Sequence, residues 1–214
     1  MSEKLKITIL TDKTSWMNKY NSVMAKELKA LGNDVDIINS KNELKKGDIA
    51  FFLSCFEIID SEKLKLNKHN IVVHESNLPI GKGWSPMSWQ ILEGKNIIPI
   101  TLFEASDKVD AGDIYLKDEI NLSGHELISE WQELLGMKTI ELCLLFVKMY
   151  PNNQAKKQVG EESFYGRRAP KDSEIDINKS IKEQFNLLRI VDNEKYPAFF
   201  EIDGHKYKLK VEKY

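Results

Sequence analysis

Cysteine is scarce in this 214-residue chain: Cys55 and Cys143 are the only two, each inside an apolar run. That excludes a disulfide framework and a thiolate metal cage, and it suits a reducing compartment. No apolar run approaches the roughly eighteen residues a membrane helix needs, and the opening Met1-Ser2-Glu3-Lys4-Leu5-Lys6 lacks the apolar centre of a signal peptide. The expectation is a cytoplasmic protein with no membrane partner. An excess of one charge is also lacking. Lys and Arg (31) nearly balance Asp and Glu (33), so the electropositive field that draws a protein to nucleic acid is missing. No GxGxxG or Walker A pattern follows the first apolar run, which removes the usual warrant for a dinucleotide or ATP site. No serine stands between the glycines of a GxSxG elbow, so a covalent acyl-enzyme has little support.

What is present is an alternation of short apolar runs with segments of helical period. Residues 5–11 read as a first strand. Tyr20, Val23, Met24, Leu28 and Leu31 then recur on one helical face that stops at Gly32. Residues 34–38 and 48–53 are the next strands, the latter apolar enough to be buried on both faces. After a helix-compatible link over residues 60–66, residues 70–73 form a buried strand that delivers His74 at its carboxyl end, where open α/β sheets gather ligands. A helix over 87–93, a strand over 97–103, a charged loop from Glu104 and a further short strand follow. Ser123 with Glu126 predicts a capping box for a long helix with Leu127, Trp131, Leu134 and Leu135 on its buried face, ended by Pro151.

The fold class is therefore α/β, an open, mostly parallel Rossmann-like sheet. Residues 1–151 are expected to form the main domain, and residues 152–214 a C-terminal extension. The extension holds a basic turn (165–170), an amphipathic helix over 179–191 with Ile181, Phe185, Leu188 and Val191 on one face, and a β-hairpin around Asp203-Gly204. Too short to stand alone, the hairpin is expected to pack on the main sheet or on a partner chain in a homodimer.

His74 opens a loop, residues 75–86, stiffened by Pro79, Gly81, Gly83 and Pro86. A histidine there is either a hydrogen-bonded structural residue or a group acting on a ligand. Asp110, in the Val109-Asp110-Ala111-Gly112 turn, stands at another strand–loop junction. A carboxylate beside an imidazole orients the ring and favours its charged form, which suits stabilising an oxyanion or moving a proton in acyl transfer. The alternative is that Asp110 only shapes its turn. Trp84 and Trp89 are equally suited to stacking a base or sugar and to plugging the core. Arg167 and Arg168 either clamp a phosphate bidentately or form a solvated, capping surface.

Taken together, His74-x-Ser76-x-Leu78-Pro79 with Lys82-Gly83, and then Val109-Asp110-Ala111-Gly112-Asp113, resemble the signature of the folate-dependent formyltransferases. These include enzymes acting on methionyl-tRNA, on glycinamide ribonucleotide and on nucleotide-linked amino sugars. The likeness covers roughly residues 5–151, and Phe164-Tyr165-Gly166-Arg167-Arg168-x-Pro170 extends it. It implies passage of a formyl group from N10-formyltetrahydrofolate to an amine, with no metal. It implies that His74 and Asp110 are catalytic, and that Ser54, Cys55 and Phe56 face Glu104, Ala105, Ser106 and Asp107 across the pterin, reading it through backbone groups. Asn77, Lys82, Trp84, Arg167 and Arg168 fall on the acceptor side.

One departure stands out. The family carries an asparagine two residues before the histidine, where this chain has Val72. Removing such a donor from an acyl-transfer site costs on the order of 10²–10³ in rate, and Asn70 and Asn77 are the nearest amides that could replace it. The stretch after Pro151 is short for the tRNA enzymes' RNA-binding domain, and Thr11-Asp12-Lys13-Thr14-Ser15-Trp16 lacks the phosphate loop of the glycinamide ribonucleotide enzymes. The acceptor implied is a small molecule, a nucleotide-linked amino sugar. The alternatives are a catalytically weak or silent folate- or nucleotide-binding relative, and a truncated methionyl-tRNA formyltransferase.

Overall fold

Alternation of side chains along strands gives the sheet of this protein two unequal buried faces. The computed structural model describes residues 4–214; Met1, Ser2 and Glu3, at the head of the stretch expected to carry no signal peptide, lie outside the described residues. From β1 (Lys6–Leu10) the chain enters α1 (Asn18–Ala30), returns as β2 (Asp34–Ile38) and crosses to β3 (Gly47–Phe52). A single turn, α2 (Ser61–Leu64), leads into β4 (Asn67–His74). These four strands are parallel. Ile7 and Ile9 of β1, Ile49 and Phe51 of β3 and Ile71 of β4 enter the main core, whereas Leu10, Ala50 and Phe52 enter a second, smaller cluster on the other face.

Past the His74 loop, which contains the two-residue β5 (Lys82–Gly83), come α3 (Pro86–Leu92) and β6 (Ile97–Glu104). β6 runs antiparallel to β4, with His74 opposite Thr101, and β7 (Ile114–Asn121) runs antiparallel to β6. The sheet order is β2-β1-β3-β4-β6-β7, so the mostly parallel α/β expectation holds, with two reversed strands at one edge. The last strand is longer than expected, eight residues.

The long α4 (Ile128–Met149) covers the main core through Trp131, Leu135, Ile140, Cys143 and Phe146. Gly136 is needed where it crosses α1, because a Cβ there would strike the Tyr20 ring. The helix starts later than the Ser123 capping box predicts: Glu130 accepts the Leu127 N–H, while Glu126 folds back on Ser123 and Gly124. Val23, Leu31 and Leu134, expected on buried faces, are 44%, 65% and 41% exposed; Asn21, Ala25 and Thr139 are buried instead. None of the helices is long and apolar enough to cross a membrane among the described residues.

The extension begins with β8 (Phe164–Tyr165), which pairs in parallel with β5. The expected helix over 179–191 shrinks to α5 (Phe185–Ile190), and Ile181 is exposed. The predicted hairpin is present as β9 (Ala198–Ile202) and β10 (His205–Leu209), turning at Asp203 and Gly204, both with positive φ. Within the chain it packs on its own small cluster with Ile175, Leu188 and Val191 rather than on the main sheet. What bolts this unit down is Arg189, buried to 1%. It bonds Glu126, Asn96 and Asn186, and its carbonyl accepts the Trp131 indole N–H.

Candidate active site

His74 is the last residue of β4 and points, with Val72, toward the smaller apolar face. Its Nε2 lies 2.8 Å from the Gly81 carbonyl and 3.7 Å from Asp110 Oδ2. Both neighbours accept hydrogen bonds, so Nε2 carries a proton. Nδ1 has no partner among the described residues. Asp110 reaches this position because the chain, on leaving β6, passes back over β4: the Ala105 N–H donates to the Asn70 carbonyl at 2.6 Å, and Ala105 packs against the second cluster. Asp110 itself has φ 49°, a left-handed backbone that Asp tolerates better than most residues, and its Oδ2 accepts the Gly83 N–H at 2.8 Å. Gly112 is required by close approach, since any Cβ would overlap the Glu104 carbonyl.

The His74 loop is held from every side. Thr101 Oγ1 donates to the Ser76 carbonyl at 2.6 Å, Gln90 Nε2 to the Glu75 carbonyl at 2.6 Å, and Lys117 Nζ to Asn77 Oδ1 and the Leu78 carbonyl. From the C-terminal side, Ser163 accepts the Gly81 N–H through Oγ and the Lys82 N–H through its carbonyl, and the Tyr165 carbonyl accepts the Trp84 N–H. Gln158 Nε2 donates to both the Asp110 and Gly112 carbonyls, at 2.9 and 2.8 Å. The domain boundary expected at Pro151 therefore does not separate the site from the extension: residues 156–166 form one of its walls. Gln158, Glu162 and Ser163 lie in a polar stretch with no motif, and nothing in the sequence singles them out.

Glu75 adds a carboxylate with no hydrogen-bond or ion-pair partner beyond its own backbone N–H among the described residues. Burial pushes it above the usual carboxyl range, Asp110 adds to the rise and His74 opposes it. The thiols are unsuited to attack, because burial raises Cys55 to about 11 and pushes Cys143 up as well. Ser76 Oγ is buried without a partner among the described residues.

Of the residues expected to read a pterin, only Cys55 and Ala105 come together on one apolar surface. Cys55 and Ile59 from one loop, Ala105 from the other, and Val72 between them pack against one apolar cluster, a surface suited to one face of a flat ring. The backbone donors are largely spent: Phe56 N–H goes to the Asp12 carboxylate, Glu104 N–H to the Asp113 carbonyl and Ala105 N–H to Asn70. The Glu104 side chain turns away to Asn70 N–H, Tyr115 and His69. Ser54, with φ 51°, accepts the Asp12 N–H, and Ser106 and Asp107 are exposed.

Of the five acceptor-side residues, Trp84 and Arg167 meet at the rim. The Arg167 guanidinium sits 5.0 Å from the Trp84 ring centre, and Phe56, 70% exposed, lies against Trp84 at 5.5 Å. Lys82 is instead sealed in, 1% exposed, with its ammonium 2.6 Å from Glu162. Arg168 folds onto the Asp172 carbonyl and Ser173, its charge disfavoured by burial. Asn77 faces Lys117, and Asn70 Nδ2 bonds the Leu64 carbonyl, so Asn70 is committed to the α2 link and supplies no donor beside His74. Trp89 is half-buried, stacked on Tyr165 and donating its indole N–H to the Gly166 carbonyl. No group of three or more His, Cys, Asp or Glu is arranged to hold a metal among the described residues.

Residues 9–135 match the family described as formyl transferase. A methionyl-tRNA formyltransferase from Clostridium beijerinckii is 28% identical over 162 residues, 74% of this chain and 52% of that protein; the chain spans about half the length of such relatives. The solved methionyl-tRNA formyltransferase from Clostridium thermocellum superposes with a TM-score of 0.80 at 24% identity, covering 97% of this chain and 92% of that one. A sugar N-formyltransferase from Shewanella superposes with a TM-score of 0.69 at 17% identity, covering 97% of each chain. At these identities the structural likeness speaks to the fold.

Proposed function

The chain belongs to the formyl transferase family, and from that premise we propose that it passes a formyl group from N10-formyltetrahydrofolate to the amine of a nucleotide-linked amino sugar. The observation that carries the reading is the enclosed pair of His74 and Asp110, 3.7 Å apart and brought together from separate loops, beside a Cys55 thiol that burial raises to about 11.

The co-substrate supplies the formyl carbon in activated form. Each residue then has a task set by its surroundings. With Nε2 committed to Gly81 and Asp110, His74 presents Nδ1 to take the proton that the attacking amine must lose. Asp110 faces the opposite nitrogen and offsets the positive charge the ring gains, the same division of labour as in other carboxylate–histidine pairs. With no thiolate available, the amine attacks the formyl carbon directly, and the tetrahedral adduct collapses by breaking the bond to N10, which takes a proton as tetrahydrofolate leaves. Cys55, Ile59, Val72 and Ala105 give the pterin an apolar wall, and Val72 offers no donor to the oxyanion.

The acceptor side rests on the rim. Phe56, Trp84 and Arg167 expose an aromatic surface beside a cation, the chemistry that suits a base next to a phosphate. A formal net charge of −2 weighs against tRNA, whose binding is dominated by phosphate contacts. The test is a mass-spectrometric screen of the full chain with N10-formyltetrahydrofolate, nucleotide-linked amino sugars and methionyl-tRNA. A formyl mass gain on an amino sugar supports the proposal, and Trp84→Ala then raises the KM for that acceptor about tenfold. Gain on methionyl-tRNA alone, or on no acceptor, overturns it.

A further inference from the structure

We infer that Gln158 is a positioning residue for Asp110, holding the turn that aims this carboxylate at His74 and Gly83. The inference rests on the formyl-transfer reading of the pair.

The geometry assigns the amide without ambiguity. Gln158 Nε2 is within hydrogen-bond distance of two carbonyl oxygens, Asp110 O at 2.9 Å and Gly112 O at 2.8 Å. A carbonyl only accepts, so the nitrogen end of the amide must face the turn and both of its N–H bonds are used. One donor group thus draws together the carbonyls of residues two apart and sets the curvature of the turn between them. That turn needs holding. Asp110 has φ 49°, a left-handed backbone less favourable than the extended one even for Asp, and Gly112 is pressed against the Glu104 carbonyl.

The side chain so aimed accepts the Gly83 N–H at 2.8 Å and lies 3.7 Å from His74 Nε2. Residues 156–165 also hold the other half of the site, through Ser163 on Gly81 and Lys82 and through Glu162 on the Lys82 ammonium. Gln158 and Ser163 therefore set the distance between the two loops from a single segment. Asparagine, one methylene shorter, does not span the same gap, and glutamate, with no N–H, sets lone pairs against two carbonyls.

The test is a double-mutant cycle on the full chain with Gln158→Leu and Asp110→Asn, read by two measurements. The first is kcat with N10-formyltetrahydrofolate and whichever nucleotide-linked amino sugar the screen identifies. Gln158→Leu is expected to lower kcat about 10- to 100-fold with both KM values within twofold, and to have no further effect once Asp110 is Asn. The second is the amide proton resonance of Gly83 in the unliganded protein, which moves in Gln158→Leu because its acceptor has moved. An equal loss of kcat in both Asp110 backgrounds, or a Gly83 resonance that stays in place, overturns the inference. If wild-type protein transfers no formyl group, the proposed function fails, and the Gly83 resonance still decides the role of Gln158. Should Gln158→Leu not fold, Gln158→Glu loses the same two donors at the same size and is read in the same way.

Discussion

Asp110→Asn is the sharpest perturbation of the site, because it removes a charge and little else. An asparagine has the same size, and its amide oxygen still accepts the Gly83 N–H that the carboxylate now takes at 2.8 Å, so the turn keeps its shape. What is lost is the attraction between the carboxylate and the imidazolium formed as His74 takes a proton. At 3.7 Å and an effective dielectric of about 20, two unit charges attract by about 4 kcal/mol. Each 1.36 kcal/mol is a factor of ten in rate, which sets a ceiling of about three powers of ten. The two side chains are 9% and 14% exposed, so some of this is screened, and a loss of about 10²- to 10³-fold in kcat is expected. The assay is tetrahydrofolate release with both substrates saturating, at low and at physiological salt. The loss should change little between the two, since enclosed pairs are weakly screened. A variant within fivefold of wild type at both salts would falsify the electrostatic role of Asp110.

Glu75→Gln tests the carboxylate beside His74 in the chain. A carboxyl raised by burial contributes stability that is complete below its ordinary range and lost as pH rises through its raised value. The variant, neutral throughout, should melt higher than wild type at pH 7 and equally at about pH 4; the same difference at both pH values would count against the burial argument. Arg189→Met leaves Glu126 facing an apolar group in a buried pocket, and should cost about 3–5 kcal/mol in urea unfolding; a cost under about 1 kcal/mol would show that the pair does not bolt the extension down. Acid should also weaken that joint. Burial alone would raise Glu126, but N–H bonds from Ser123 and Gly124 outweigh it and bring it down to about 2, so its contribution is whole above the ordinary carboxyl range and fades as pH falls toward 2. Gly112→Ala must move the Asp110 turn off the Glu104 carbonyl, and its kcat should fall at least as far as that of Asp110→Asn; unchanged turnover would mean that the turn yields freely.

The parallel core was legible because alternation and apolar runs are local signals: Ile49 and Phe51 on one face with Ala50 and Phe52 on the other announce a strand buried twice. His74 and Asp110 were legible from motif and chain position, and they do meet. Side-chain partners were not legible. Lys82 reads as a free cation in a loop, yet Glu162 neutralises it from far along the chain. Val23, Leu31 and Leu134 have the right period but face water, because helical spacing alone does not say how wide a stripe the neighbours cover. The helix expected to start at Ser123 starts at Ile128, because Glu126 is drawn instead to the N–H groups behind it and to Arg189, a residue that no local pattern connects with it.

Residues 156–166 also decide when the site comes into being. The ribosome releases β4, His74 and the Asp110 turn well before it releases Gln158, Ser163 and Tyr165. The first domain can thus build its sheet on local and near-neighbour contacts while both loops still lack their common brace. On a growing chain the strands precede the brace, and a nick at the exposed Val159–Gly160 link in the finished protein would part Gln158 from Ser163 while leaving every strand of the main sheet whole.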